Sequence, residues 1–259
     1  MQVEINVIRS KLNNIIAHHL ALIINRADDS LGTGLFAEIE HRRFIITAKH
    51  VIEGASDDQI YINLGIEHQE HVFKKLNRWT NDDLDLAFLE LDYTETEFIR
   101  DKIEPFVMRY KRTRGELPHY NGIAICGYPK TTWKIHGKYI NPESFTIVLQ
   151  KTLEFDSWPP TAKSLYSPDN FMMISLREEH CGQKLLDQDG KLPSGLDPHG
   201  MSGAPVWAFD AFKVNDDQPD YAFWGIYTSY LRDDPNILKA TYINKIIENI
   251  EEQYGFKLN

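Results

Sequence analysis

Three side chains in this sequence could share one proton. His50 stands in FIITAKHVIEG, Asp85 in NDDLDLAFLEL and Ser202 in DPHGMSGAPVW. A serine hydroxyl becomes a nucleophile when a base takes its proton, and an imidazole steadied by a carboxylate is a common base for that task. Each of the three sits where an apolar, strand-like run meets a polar loop, so a rigid scaffold can fix it and still leave it accessible. Plainer readings stand beside this one. Taken alone, His50 reads as a satisfied, half-buried histidine at the end of a strand, and Ser202 reads as part of a glycine-bracketed turn. Asp82 and Asp83 compete with Asp85 and read as exposed turn acids, whereas Asp85 directly precedes the apolar run Leu-Ala-Phe-Leu.

The order along the chain separates the alternatives. Ten histidines are present and none follows Ser202. The α/β-hydrolase order of serine, acid, histidine is therefore excluded; Ala204 also stands where that elbow has its second glycine. Other chemistries find little support. His68 and His71 in HQEH are three apart in a β-like stretch, where they face opposite sides, so no metal site is expected. GTGL at 32–35 lacks the lysine of a phosphate-binding loop and the third glycine of a dinucleotide fingerprint. Trp207, Phe223 and Trp224 read as packing. Neither a cofactor nor a metal is implied.

The whole chain bounds these readings. It has 259 residues, 42% hydrophobic and 25% charged, which is enough apolar material for a sizeable core in one large or two small domains. The formal charge of −10 argues against nucleic acid as a partner, and RYKRTR at 109–114 is a short solvated connector. Two cysteines cannot form a disulfide framework, and Cys126 inside Ile-Ala-Ile-Cys reads as a buried free thiol. The N-terminus lacks the pattern of a signal peptide and no stretch is long enough for a membrane span, so a reducing cytoplasm is expected.

The elements that must position the candidate residues are mostly strands. Residues 3–16 suggest a short amphipathic helix running into HLALIIN. GLFAEIE and RFIITAKHVIE, separated by His41 and Arg42, read as a hairpin. QIYINLG, HVFKKL and LDLAFLEL continue the β pattern. Residues 93–120 look like a crossing linker. A second β-rich half follows in GIAICGYP, SFTIVLQKTLEF, NFMMISL, APVWAFDAF and YAFWGIYTSYL, with surface loops expected at 156–168 and 182–199. At the end, Ile243, Ile246, Ile247, Ile250 and Tyr254 share one helical face, and Gly255 is a stop.

With GTGLF at 32–36, TAKHV at 47–51, DLAFL at 85–89 and GMSGAPV at 200–206 in this order, the sequence resembles the chymotrypsin/trypsin-like serine peptidase superfamily. It is most similar to the bacterial, intracellular, disulfide-free members. WGIYTSY at 224–230 resembles the strand that lines that family's specificity pocket. The resemblance implies an all-β fold of two packed β-barrels with a C-terminal α-helix, preceded by the short N-terminal helix. Residues 1–112 would form the barrel carrying His50 and Asp85, and residues 113–259 the barrel carrying Ser202 and the final helix.

By the same resemblance the protein is a serine endopeptidase that cuts protein or peptide substrates through an acyl-enzyme. Ser202 is the nucleophile, His50 the general base and Asp85 its carboxylate. The N–H groups of Gly200 and Ser202 form the oxyanion hole. Leu196, Asp197 and His199 lie at the base of the substrate pocket, with Tyr227, Thr228 and Ser229 as walls; Asp197 beside Pro198 also reads as a turn residue, and His199 as a loop histidine. Two departures matter. Met201 replaces the aspartate that precedes the serine in trypsin itself, in a chain without an IVGG-type start, and Ala204 stands where glycine is commoner, an added methyl that the turn tolerates. Activation by N-terminal cleavage is therefore not expected. The oxyanion loop is ordered in another way, for instance by substrate or by a regulatory protein partner. The alternative is a trypsin-fold binding module without turnover.

Overall fold

The computed structural model describes residues 5–63, 71–72, 76–92, 96, 105–108, 120–130, 134–136, 139–141, 144–149, 152–177, 199–210, 213, 220–231 and 233–255. The chain opens with helix α1, Ile5–Ile16, in which Ile8, Leu12 and Ile16 recur every four residues and are buried. A 3-10 turn, Ala17–His19, leads into strand β1, Leu20–Asn25. Strands β2, Ser30–Ile39, and β3, Arg42–Ala48, form the expected hairpin. Its turn falls on Glu40 and His41, one residue earlier than the sequence suggests. Both have positive φ, 47° and 64°, as a two-residue hairpin turn with right-handed strand twist requires. Arg42 is already paired with Ile39.

The short helix α2, Lys49–Ile52, follows at once, then β4, Ile60–Asn63; β5, His71–Val72; β6, Leu76–Asn81; β7, Leu86–Leu91; and β8, Phe106–Val107. They pair in the order β5-β4-β1-β2-β3-β7-β6, and β8 runs parallel beside β2. Part of the expected linker thus joins the sheet. Of the HVFKKL stretch the described residues are His71 and Val72 in β5 and Leu76 at the start of β6, and His68 lies outside the described residues.

The second sheet is built from β9, Gly122–Gly127; β12, Phe145–Leu149; β13, Phe171–Ser175; β14, Pro205–Phe209; β15, Tyr221–Leu231; and β16, Asp234–Tyr242. Between β9 and β12 lies a separate hairpin, β10, Lys134–His136, with β11, Tyr139–Asn141. The sheet order is β12-β9-β14-β15-β16-β13, all antiparallel. Residues 156–168, read as a surface loop, contain helix α3, Pro160–Leu165. Pro160 suits the first helical position because the proline's missing N–H would have had no partner there. Strand β16 has no counterpart in the sequence reading, since Pro235, Lys239 and Thr241 interrupt its apolar pattern. The chain closes with α4, Ile243–Tyr254, capped by Gly255 at φ 71°.

Two curled antiparallel sheets, one short N-terminal helix and one C-terminal helix give the all-β two-barrel architecture expected from the sequence. Strand β3 shows why its sequence does not alternate. Ile45 enters a cluster with Ile23, Phe36 and Leu89 inside the first sheet. Phe44 and Ile46 point the other way, into the cluster shared with Trp207, Phe223 and Ile226 of the second sheet and with Ile246, Ile247 and Ile250 of α4. Both faces of the strand are buried, so both are apolar. The halves also exchange their ends. Asn13 of α1 accepts hydrogen bonds from Thr146 (3.0 Å), Ser144 (3.3 Å) and the thiol of Cys126 (3.5 Å) at the second sheet. Tyr254 of α4 packs edge-on against Phe44 of the first. Cys126 is a buried free thiol, as its surroundings suggested, and burial pushes its pKa up to about 12.

Candidate active site

His50 lies in α2, two residues beyond the end of β3 rather than on the strand itself. Its ring Nδ1 is 2.9 Å from Asp85 Oδ2 and 3.1 Å from Oδ1, and its backbone N–H donates to Oδ1 at 3.1 Å. The Asp85 carboxylate therefore fixes both the ring and the main chain of His50. Asp85 itself has φ 52°, an uncommon left-handed conformation for a residue with a side chain. The turn that holds it there is well tied. The Asp85 N–H donates to Asp82 O (3.3 Å), the Leu84 N–H to Asn81 Oδ1 (3.0 Å), and the Asp85 carbonyl accepts from the Lys49 N–H (3.1 Å). Asn81 also donates to Asn249 of α4 at 2.8 Å. The exposed amine of Lys49 bridges Glu53 and Asp82, and those hydrogen bonds raise its pKa.

The Ser202 turn is bolted to β2. The Thr33 N–H donates to Ser202 O at 2.8 Å and the Thr33 hydroxyl donates to Gly200 O at 2.9 Å. On the other side, the Gly203 N–H donates to Tyr227 O (2.7 Å), and the Tyr227 N–H to Ala204 O (2.8 Å). Gly203 has φ 87°, and a Cβ there would run into the Thr33 carbonyl and the Thr47 hydroxyl. Gly32 fills the gap between the two chemical groups. A Cβ on Gly32 would collide with the Val51 methyls and reach 3.0 Å from Ser202 O. Ser202 thus sits across one glycine from the residue that follows His50. Among the described residues no hydrogen bond joins the Ser202 hydroxyl to His50, and the N–H groups of Gly200 and Ser202 donate to none. Gly200 has φ 90°. Met201, the departure from the trypsin pattern, is fully buried in the second sheet's cluster.

Of the residues expected to line a substrate pocket, Leu196 and Asp197 lie outside the described residues. Tyr227 and Thr228 are buried, and the Thr228 hydroxyl donates to Lys239 O at 3.3 Å. Ser229 is half-buried beside them on β15. His199 is exposed, and its ring meets Tyr230 edge-on with centroids 5.7 Å apart. Among the described residues no group of three His, Cys, Asp or Glu could hold a metal ion.

No family model matches the chain, and no curated protein matches it in sequence. Solved structures do. One is an inactive serine-to-alanine mutant of Rv3671c from M. tuberculosis H37Rv, with a TM-score of 0.53 and 10% identity over 98% of this chain and 96% of that one. The serine endoprotease from Yersinia pestis gives 0.51 and 17%, over 94% of this chain and 65% of that one. The HtrA-type protease AlgW with a tripeptide gives 0.55 and 15%, over 95% and 64%. The chain has the chymotrypsin/trypsin-like peptidase fold. In this peptidase fold the likeness spans nearly the whole chain, whereas the low identities carry no argument about particular residues.

The sequence did not single out Thr33, Asn81, Tyr230 or Lys239. Thr33 lies inside the GTGLF motif, but nothing local in that motif shows that its hydroxyl reaches residue 200. Asn81 has a readable signal: an Asn preceding a turn of acids favours an Asx turn. Lys239 has none, because a lysine in a strand reads as exposed.

Proposed function

We propose that the protein is a serine endopeptidase acting on protein or peptide substrates. The observation that supports this most is the two-point hold of the Asp85 carboxylate on His50, with the Ser202 turn bolted beside it through Gly32 and Thr33. With Nδ1–H donated to Asp85, the His50 Nε2 lone pair is free to accept a proton. Ser202 Oγ attacks the scissile carbonyl carbon while Nε2 takes the hydroxyl proton. The N–H groups of Gly200 and Ser202 receive the oxyanion. Each such donor is worth about 3 kcal/mol in the transition state. Collapse of the tetrahedral intermediate breaks the C–N bond, and the imidazolium gives its proton to the leaving amine. Water, deprotonated by the same nitrogen, then releases the acyl group and restores Ser202. The test is labelling by a fluorophosphonate probe. Wild type is labelled and Ser202→Ala is not; a wild type that stays unlabelled, alone and with cell extract added, overturns the reading.

The absent Ser202–His50 hydrogen bond favours a second reading, in which this arrangement is a latent form that a regulatory protein partner aligns. Labelling by the same probe is then weak alone and rises when extract is added. A binding module without turnover predicts no labelling in either case.

A further inference from the structure

Lys239 is a charged side chain inside the protein. It is 7% exposed on β16, opposite Met173 of β13 and Ser229 of β15. Its ammonium lies 4.6 Å from the centroid of the Tyr166 ring and 5.0 Å from that of Phe171. Among the described residues it donates no hydrogen bond and forms no close ion pair. Aromatic faces attract a cation, but they do not replace the water that a buried ammonium has lost. Residues two apart on a strand share a face. Thr241, two residues along, donates its hydroxyl to Leu84 O at 2.9 Å, so Lys239 lies on the face of β16 that Thr241 turns towards the Leu84–Asp85 turn before β7. Burial lowers the amine's pKa, and the Asp85 charge opposes that shift.

We propose that Lys239 is a positioning residue of the active site: its buried ammonium acts through Asp85, drawing part of that carboxylate's field away from His50. This rests on reading His50 and Asp85 as a base and its carboxylate. Among the described residues, the charged groups flanking the pair are Lys49 on α2, Glu53 just after it, and Asp82 and Asp83 in the turn before β7. Lys49 is engaged by Glu53 and Asp82. The phenol of Tyr166 is a further titratable group against Lys239 among the described residues. A cation behind the carboxylate opposes positive charge on the imidazole, and this sets the sign that the experiment reads.

The experiment is an NMR titration of the His50 imidazole, with the acid limb of kcat/KM followed in parallel. Lys239→Met keeps the length and removes the charge, and it raises the His50 pKa by roughly half a unit to one unit, taking the acid limb with it. Lys239→Arg leaves both near wild type. An unmoved imidazole in folded Lys239→Met overturns the proposal. A reciprocal measurement needs no change at Lys239. Coupling between two groups is mutual, so Asp85→Asn must lower the NMR-observed pKa of the Lys239 amine; an unchanged amine overturns the proposal even if Lys239→Met does not fold. Both NMR readings work without turnover. An inactive protein with intact coupling counts against the peptidase reading alone, and an active one without coupling counts against this proposal alone.

Discussion

Thr33 uses every polar group it has. Its N–H donates to Ser202 O, its hydroxyl donates to Gly200 O and accepts from the Tyr128 N–H, and its carbonyl accepts from the Thr47 hydroxyl. Thr33→Val keeps the shape and deletes only the hydroxyl bonds. It leaves the Gly200 carbonyl and the Tyr128 N–H without their partner, at a cost of about 1–3 kcal/mol, measurable by urea unfolding. If Gly200 is an oxyanion donor, the same change lowers kcat more than it raises KM. Asp85→Asn tests the hold on His50. Asparagine tolerates the left-handed backbone found at this position, so the fold is kept. An amide in place of the carboxylate favours the wrong imidazole tautomer, and the expected loss in kcat is about 10⁴-fold with little change in KM. An activity within tenfold of wild type would show that Asp85 does not serve the base.

At the scale of elements, α4 does two jobs. Its apolar stripe, Ile246, Ile247 and Ile250, is fully buried in the cluster between the sheets. Ile247→Ala is expected to cost about 2–5 kcal/mol in urea unfolding, because the rigid surroundings collapse only partly into the cavity. Its polar edge steadies the Asp85 turn. Asn249 accepts from Asn81 at 2.8 Å while its own amide donates to Lys245 O at 2.7 Å. Asn249→Ala should cost only about 1 kcal/mol, yet it frees the Asn81 side chain whose oxygen holds Leu84. Faster amide exchange at Leu84 and Asp85, with α4 itself unchanged, is the expected signature. The helix was legible because a 3.6-residue period survives burial on one face. Strand β16 was not, because its neighbours on both sides, rather than its composition, make it a strand.

Across the whole molecule, one apolar cluster joins both sheets, α1 and α4. A single cooperative unfolding transition follows, since neither sheet can open without exposing the shared face. The same burial sets a pH limit. Cys126 has its pKa raised by desolvation from 9.0 to about 12. Its contribution is complete below the unfolded value. It is lost progressively from about pH 9 up to about pH 12, because the unfolded thiol ionises first. Buried Tyr128, also raised by desolvation, acts in the same direction from a higher starting pH. Urea midpoints should therefore fall as the pH rises from about 9 towards about 12, the span between the unfolded and folded thiol values. The fall should be shallower in Cys126→Ala; an identical slope would show that the thiol is not desolvated.

The sequence by itself determined the β-rich halves, the two terminal helices and the first hairpin to within a residue, and it narrowed the candidate site to a short list of side chains. Those follow from local periodicity, turn chemistry and residue type, which a chain carries in any conformation. Folding alone decided that the Asp85 carboxylate meets both the ring and the backbone of His50, that Thr33 fastens the Ser202 turn, and that a lysine is shut in among aromatic rings. These contacts join residues 35 to 169 positions apart or depend on what covers a strand from outside. No local pattern encodes them; they exist only when two sheets close on one another.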